Sequence, residues 1–174
     1  AHFICNTLGT INYEAIEAGN RQVSVLIKKL SNILRYTFDQ KCQDVYLYQE
    51  IAWIDQYLYL QKTRFENVFD YSIEFEEEYG YWPCCKLMFQ PFVENSILHG
   101  FEGRHEGGIV KITVSEEKGR LRIEIRDNGS GIDADTEKVI KNILKSKGMA
   151  PVLQRQKVGI GILNVVTRMR MYYG

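Results

Sequence analysis

The chain has 174 residues, of which 45% are hydrophobic and 25% charged, values that suit one or two small globular domains. Lysine plus arginine equals aspartate plus glutamate, 22 each, so charge gives no support to a general nucleic-acid-binding role. No apolar run approaches the roughly 20 residues that span a bilayer, and no signal peptide is evident. Cys5, Cys42, Cys84 and Cys85 form no CxxC pair, and free thiols in a reducing cytoplasm are the plain reading. Residue 2 already lies in a helix-like pattern, and the chain stops just after an apolar periodic segment. Truncation at both ends is therefore expected.

A first helix is expected from about His2 to Glu17. Val23, Leu26, Leu30 and Ile33 then recur at three- and four-residue steps, and Leu47, Ile51, Ile54, Leu58 and Phe65 extend the pattern. The polar break from Asp39 to Asp44 separates them into two helices of a hairpin, with Asp44 as candidate cap of the later one. Two or three helices cannot bury all these faces alone, whereas a four-helix bundle formed with a second copy would. His2 reads as a surface or packing residue, or as a nucleophile, since neutral imidazole is competent in that role.

From residue 70 the period changes. Tyr71, Ile73 and Phe75 alternate with Ser72, Glu74 and Glu76, which predicts a strand with one wet face. Tyr79 to Pro83 reads as a turn or linker. Leu87, Phe89, Phe92, Val93, Ile97 and Leu98 predict an apolar helix, kinked at Pro91 or beginning near it. Inside that stretch stand Glu94 and Asn95, and His99 follows Asn95 on the same helix face. Such side chains either point to water or act. Asn95 could give an oxygen to a hard cation such as magnesium, and Glu94 could position or deprotonate a group near phosphates.

Gly107-Gly108 opens a strand with Val110, Ile112 and Val114 on one face. After a turn at Glu116–Gly119, Leu121, Ile123 and Ile125 line a returning antiparallel strand. It ends in Asp127-Asn128-Gly129-Ser130-Gly131. A carboxylate there could accept a hydrogen bond from a ligand amine, and the glycines permit close backbone approach; the pentapeptide is also an ordinary turn. Beyond Ile132, a helix from Asp135 to about Lys147 carries Val139, Ile140, Ile143 and Leu144 on one side. Gly148 to Lys157 reads as an irregular loop. Lys138, Lys141, Lys145, Lys147, Arg155 and Lys157 have no acidic residue among them, either a solvated face or cations that close over a triphosphate. Gly159-Ile160-Gly161 then opens a helix with Leu163, Val166, Met169 and Arg170. Free amides at such an opening suit an anion. This is neither a P-loop nor a GxGxxG, because Asn164 occupies the last glycine's place.

Taken together, these segments resemble the sensor histidine kinases. Pro91 to Gly100, with its Glu94-Asn95 and His99-Gly100, is similar to their N box, Asp127 to Gly131 to a first glycine box, and Gly159 to Val165 to a second. The His-Gly ending and His2-Phe3-Ile4-Cys5-Asn6-Thr7-Leu8 are similar to the LytS/YesM subgroup, and the resemblance covers nearly the whole chain. It implies an α+β fold. Residues 1–66 would form a helical dimerisation and phosphoacceptor segment, and residues 67–174 a GHKL-type α/β sandwich, a mixed sheet with helices on one face, lacking its closing strands. It implies His2 as phosphoacceptor and Glu94 as the residue that assists transfer or orients the imidazole. It implies magnesium on Asn95 and the adenine amine on Asp127. Gly129 and Gly131 would shape the adenine pocket, and Gly159 and Gly161 would contact phosphates. His99, Ile132 and Asn164 are further implied nucleotide contacts, and the segment between the glycine boxes is an implied mobile ATP lid. Ala1 stands where family members carry proline.

The function so implied is the cytoplasmic kinase core of a two-component sensor. It would bind Mg–ATP and pass the γ-phosphoryl group to histidine and then to a response-regulator aspartate. Implied partners are a second copy, a receiver domain, and sensor and membrane domains upstream in a bacterial membrane protein, with no nucleic acid. A degenerate nucleotide-binding scaffold and another GHKL ATPase, such as a chaperone or mismatch-repair type, are the rivals. The His2 helix and the hairpin favour the kinase.

Overall fold

The computed structural model describes residues 2–39, 44–66, 68–145 and 160–173, with backbone alone for 160–163. Helix α1 (His2–Glu17) ends where Asn20 N donates to Ala15 O at 2.8 Å. Asn20 then caps helix α2 (Arg21–Phe38), its side chain accepting from Val23 N at 3.1 Å. Between α1 and α2, Ser24 Oγ donates to Asn12 Oδ1 at 2.7 Å. The stripe expected on α2 is only partly used within one chain. Ser24 and Ile27 are buried and Ile33 packs on the core, while Val23 and Leu30 each stay 38% exposed.

Strand β1 (Asp44–Tyr46) precedes helix α3 (Leu47–Arg64). Asp44 does not cap that helix, because it pairs with Cys85 in an antiparallel ladder between β1 and β3 (Pro83–Cys85). The N-cap is Tyr46, whose N–H donates to the Gln49 side chain at 2.9 Å. The stretch read as a linker holds a 3-10 turn (Glu77–Tyr81) as well as β3.

The main sheet runs in the order β2 (Phe69–Glu74), β4 (Gly108–Glu117), β5 (Arg120–Asp127). β2 lies parallel to β4, and β4 antiparallel to β5 with Val110 opposite Asp127, so the sheet is mixed. The β4–β5 hairpin forms as its alternation predicts. Leu47, Ile51, Ile54 and Leu58 line the inner face of α3 at helical spacing and share one core with Phe69, Val110, Ile112 and Val114 of the sheet. Helix α4 (Gln90–Asn95) starts with Pro91 in its first turn and adds Val93 to the same core. It widens into a π-type turn over Ser96–Gly100. Helix α5 (Ala134–Lys145) and helix α6 (Ile160–Tyr173) meet through Ile143 and Val166. Arg170 ties them, donating to Ile143 O at 2.6 Å and Leu144 O at 3.0 Å where α5 runs out of helical partners. Leu144, expected on the apolar side of α5, is exposed.

Candidate functional site

A cleft of about 1570 Å³ opens between the inner face of β5, helix α4 and the helices α5 and α6. Leu121, Ile123 and Ile125 line it from the sheet, Met88 and Phe92 from the α4 side, and Thr136, Ile140 and Met169 from the last two helices. Most of the lining surface is apolar, as suits a flat heterocycle, and charged residues such as Arg120, Arg122, Asp127 and Asp133 also border it.

Asp127 sits in this cleft at the end of β5. Its Oδ2 accepts from Ser96 Oγ at 2.7 Å and its Oδ1 from Gly129 N at 2.9 Å. Each carboxylate oxygen has two acceptor directions, so both can still receive a ligand donor. Gly129 is pressed against the end of the π-type turn. A Cβ there would lie 2.5 Å from Gly100 O and 2.6 Å from Gly100 Cα. Ser130 N donates to that same Gly100 oxygen at 3.0 Å, and Ser130 Oγ to His99 O at 3.4 Å. Gly131 continues at φ +77°, which favours glycine.

The loop is fastened from behind by Asn128, a residue to which sequence reasoning gave no role. Its Oδ1 accepts from Ile109 N at 2.8 Å and Arg104 Nη1 at 2.9 Å, and its Nδ2 donates to Gly107 O at 2.9 Å. Ser96 was likewise missed. Its only sequence signal was its place after Asn95 in the apolar helix.

The structure brings together Asn95, His99, Asp127, Gly131 and Ile132 as cleft-lining residues, with Gly129 beneath them. It turns Glu94 another way. Glu94 Oε1 accepts from Gln90 Nε2 at 2.7 Å, and Glu94 is not among the cleft-lining residues. It faces Tyr57 of α3, whose hydroxyl is pushed up to about 12 by burial and then by this carboxylate. His2 is exposed at the start of α1, its Nδ1 3.2 Å from Asn6 Nδ2, and does not line the cleft. Gly161 lies in the first turn of α6, and Asn164 is exposed one turn on. Lys141 of the basic run pairs with Glu137 at 2.5 Å. Gly159, Lys147, Arg155, Lys157 and Cys42 lie outside the described residues.

Residues 1–69 match the family model for histidine kinase. Residues 85–173, half of the chain, match that for the histidine kinase-, DNA gyrase B- and HSP90-like ATPase. The chain belongs to the sensor histidine kinases, of the LytS/YesM type. The chain is 33% identical over 176 residues to the sensor histidine kinase YpdA of Escherichia coli (strain K12), a match covering 99% of the chain and 29% of YpdA. It is 29% identical over 145 residues to the sensor protein kinase HptS of Staphylococcus aureus (strain USA300), covering 83% of the chain and 27% of HptS. The chain thus spans less than a third of the length of these curated relatives.

Proposed function

We propose that the chain is the kinase core of a two-component sensor. It binds ATP in the cleft and transfers the γ-phosphoryl group to His2, from which a response-regulator aspartate takes it. The observation that carries this reading is Asp127. Its carboxylate is exposed to a cleft whose surface is mostly apolar, aimed by Ser96 and the Gly129 amide, and suited to the exocyclic amine of adenine. In the transfer, an imidazole nitrogen forms a bond to γ-phosphorus, the bond to the bridging oxygen breaks, and ADP leaves. The imidazole proton passes to a base or to water. Glu94 of α4, next to Asn95, is assigned as the base or the group that orients the imidazole, a role for which its side chain must turn from Gln90 and Tyr57 toward the cleft.

Gly129 and Gly131 shape the adenine pocket, with His99, Ile132 and Asn164 as further nucleotide contacts and Gly159 and Gly161 on the phosphates. Among the described residues no group of three or more His, Cys, Asp and Glu side chains could hold a metal ion. Magnesium takes few protein ligands when phosphates and water supply the rest, and Asn95 reaches the cleft with an amide oxygen to offer. Asn95 would hold it, and the ion would neutralise phosphate charge. By role, residues 1–66 supply dimerisation and the acceptor, and residues 67–174 the cleft. Phe3, 80% exposed, together with exposed Ile11, Ile16, Val23 and Leu30, supports pairing with a second copy. No helix among the described residues is long and apolar enough to cross a membrane. The core is assigned to the cytoplasmic side of a bacterial membrane protein, with its sensor upstream and a receiver domain as partner.

Asp127→Ala should weaken ATP by roughly ten- to a hundredfold, since a hydrogen bond to a charged group contributes about 1.5–3 kcal/mol. GTP, with a carbonyl in place of the amine, should bind the parent poorly. Calorimetry finding equal affinity for ATP and GTP would remove the adenine role. Acid-labile phosphate incorporation in the full-length protein, absent in His2→Gln, tests the acceptor.

A further inference from the structure

Glu50 lies in the first turn of α3 and is fully buried, at 0% exposure. A carboxyl so placed is costly unless its oxygens are engaged. Oε1 accepts from the Tyr36 hydroxyl at 2.5 Å and from Leu87 N at 2.7 Å, and Oε2 accepts from Met88 N at 3.1 Å. Leu87 has φ +56°, a conformation that a leucine keeps only when its surroundings hold it. The two amides that Glu50 grips belong to this residue and the next, so Glu50 fastens a strained turn.

That turn leads directly into the site. Met88 and Phe89 line the cleft, and Gln90 begins α4, the helix that carries Asn95. Two further elements hold the same turn. Lys86 Nζ donates to Asp39 O and lies 4.8 Å over the Tyr36 ring. Arg168 of α6 donates to Lys86 O. Helices α2, α3 and α6 thus converge on the few residues ahead of α4.

We infer that Glu50 is a positioning residue of the nucleotide cleft. Through the Leu87 and Met88 amides it sets the cleft wall and the start of α4. Through Tyr36 it makes that setting depend on how α2 is seated. Glu50 does not line the cleft and has no part in the phosphoryl chemistry. The inference rests on the nucleotide reading of the cleft given above.

The test uses the full-length protein with Glu50→Ala, Glu50→Gln and Tyr36→Phe. It measures amide hydrogen exchange across the turn and ATP affinity by displacement of a fluorescent ATP analogue, below the melting temperature of every variant. Glu50→Ala should bind ATP about tenfold more weakly and speed exchange at Leu87 and Met88 by at least about tenfold. Glu50→Gln keeps one acceptor oxygen and should fall between parent and alanine. Tyr36→Phe, which leaves both amide bonds, should weaken ATP roughly threefold. A residue that only stabilised the fold would lower the melting temperature and leave this affinity alone. ATP affinity within about twofold of the parent in both Glu50 variants therefore overturns the inference. If the alanine variant does not fold, Glu50→Gln and Tyr36→Phe decide by the same criterion. A parent that fails to bind ATP overturns the nucleotide reading instead. Exchange at Leu87 and Met88 then decides the turn by itself, and parental rates in the variants reject the clamp.

Discussion

Gly129 has no room for a side chain, because the atoms a Cβ would meet are backbone atoms of Gly100. Gly129→Ala must push the two segments apart, at about 1–3 kcal/mol, the range of overpacking. Denaturant unfolding should show that loss, and ATP titration should show a weakened cleft, since Asp127 is aimed by the Gly129 amide. A second residue-scale expectation concerns acidity. Burial raises the Glu50 carboxyl above its ordinary 4.5, while the bonds from Tyr36, Leu87 and Met88 pull the other way. The titratable groups facing it are Tyr36 on α2 and Cys84 and Cys85 on β3. The folded chain therefore keeps this proton at a pH where the unfolded chain has released it. Stability from this group is greatest below 4.5, falls as pH rises toward the folded value, and is level above it. Glu50→Gln should lack that slope in denaturant midpoints taken from about pH 4 to about pH 8. The two carboxylates also differ in how readily they can be found. Asp127 stands out because a strand-end acid before two glycines is a local pattern. Glu50 sits among tyrosines in a helix, and its partners are 14, 37 and 38 positions away, too far for any local signature.

Elements long enough to repeat their period were legible. The alternation of Val110, Ile112 and Val114 against Leu121, Ile123 and Ile125 marked β4 and β5, and the 47-51-54-58 spacing marked the inner face of α3. β1 and β3 have three residues each, too few to show alternation, and they exist through pairing with one another. The π-type turn was not legible either, since Ser96–Gly100 reads as a continuation of a regular helix. Its use is visible only with the glycine loop in place. Its last carbonyls, of His99 and Gly100, accept from Ser130, Gly100 O from the amide and His99 O, which also takes the cap amide of the turn, from the hydroxyl. At the head of α2, Asn20 is the one side chain that caps Val23 N. Asn20→Ala should cost about 1 kcal/mol. Thermal unfolding followed in the far ultraviolet should register this as a small fall in midpoint with ATP affinity retained, because the cap is remote from the cleft.

Across the whole molecule, one core joins α3, α4 and the main sheet, and two adjacent thiols report on it. Cys84 is buried and its thiol is pushed up to about 12, first by burial and then by Glu50 and Cys85. Cys85 is buried and raised as well, whereas Cys5 on α1 is only half-buried. Native alkylation at about pH 8, mapped by mass spectrometry, should label Cys5 and spare Cys84 and Cys85, because the thiolate is the reacting form. Labelling of the pair should then track global unfolding. The split by role and the split by packing fall at different places. The acceptor segment is assigned to residues 1–66, yet α3 within it buries Leu47, Ile54 and Leu58 against β2 and β4. This matters to anyone grafting such a kinase onto a foreign receptor. A seam after residue 66 would set the α3 of one parent on the sheet of another, mismatching side chains that have no space to adjust. A seam ahead of β1 keeps α3 with the sheet it grew around and leaves contacts such as Tyr36–Glu50, Thr37–Trp53, Asp39–Lys86 and Lys29–Asp55 to be re-matched.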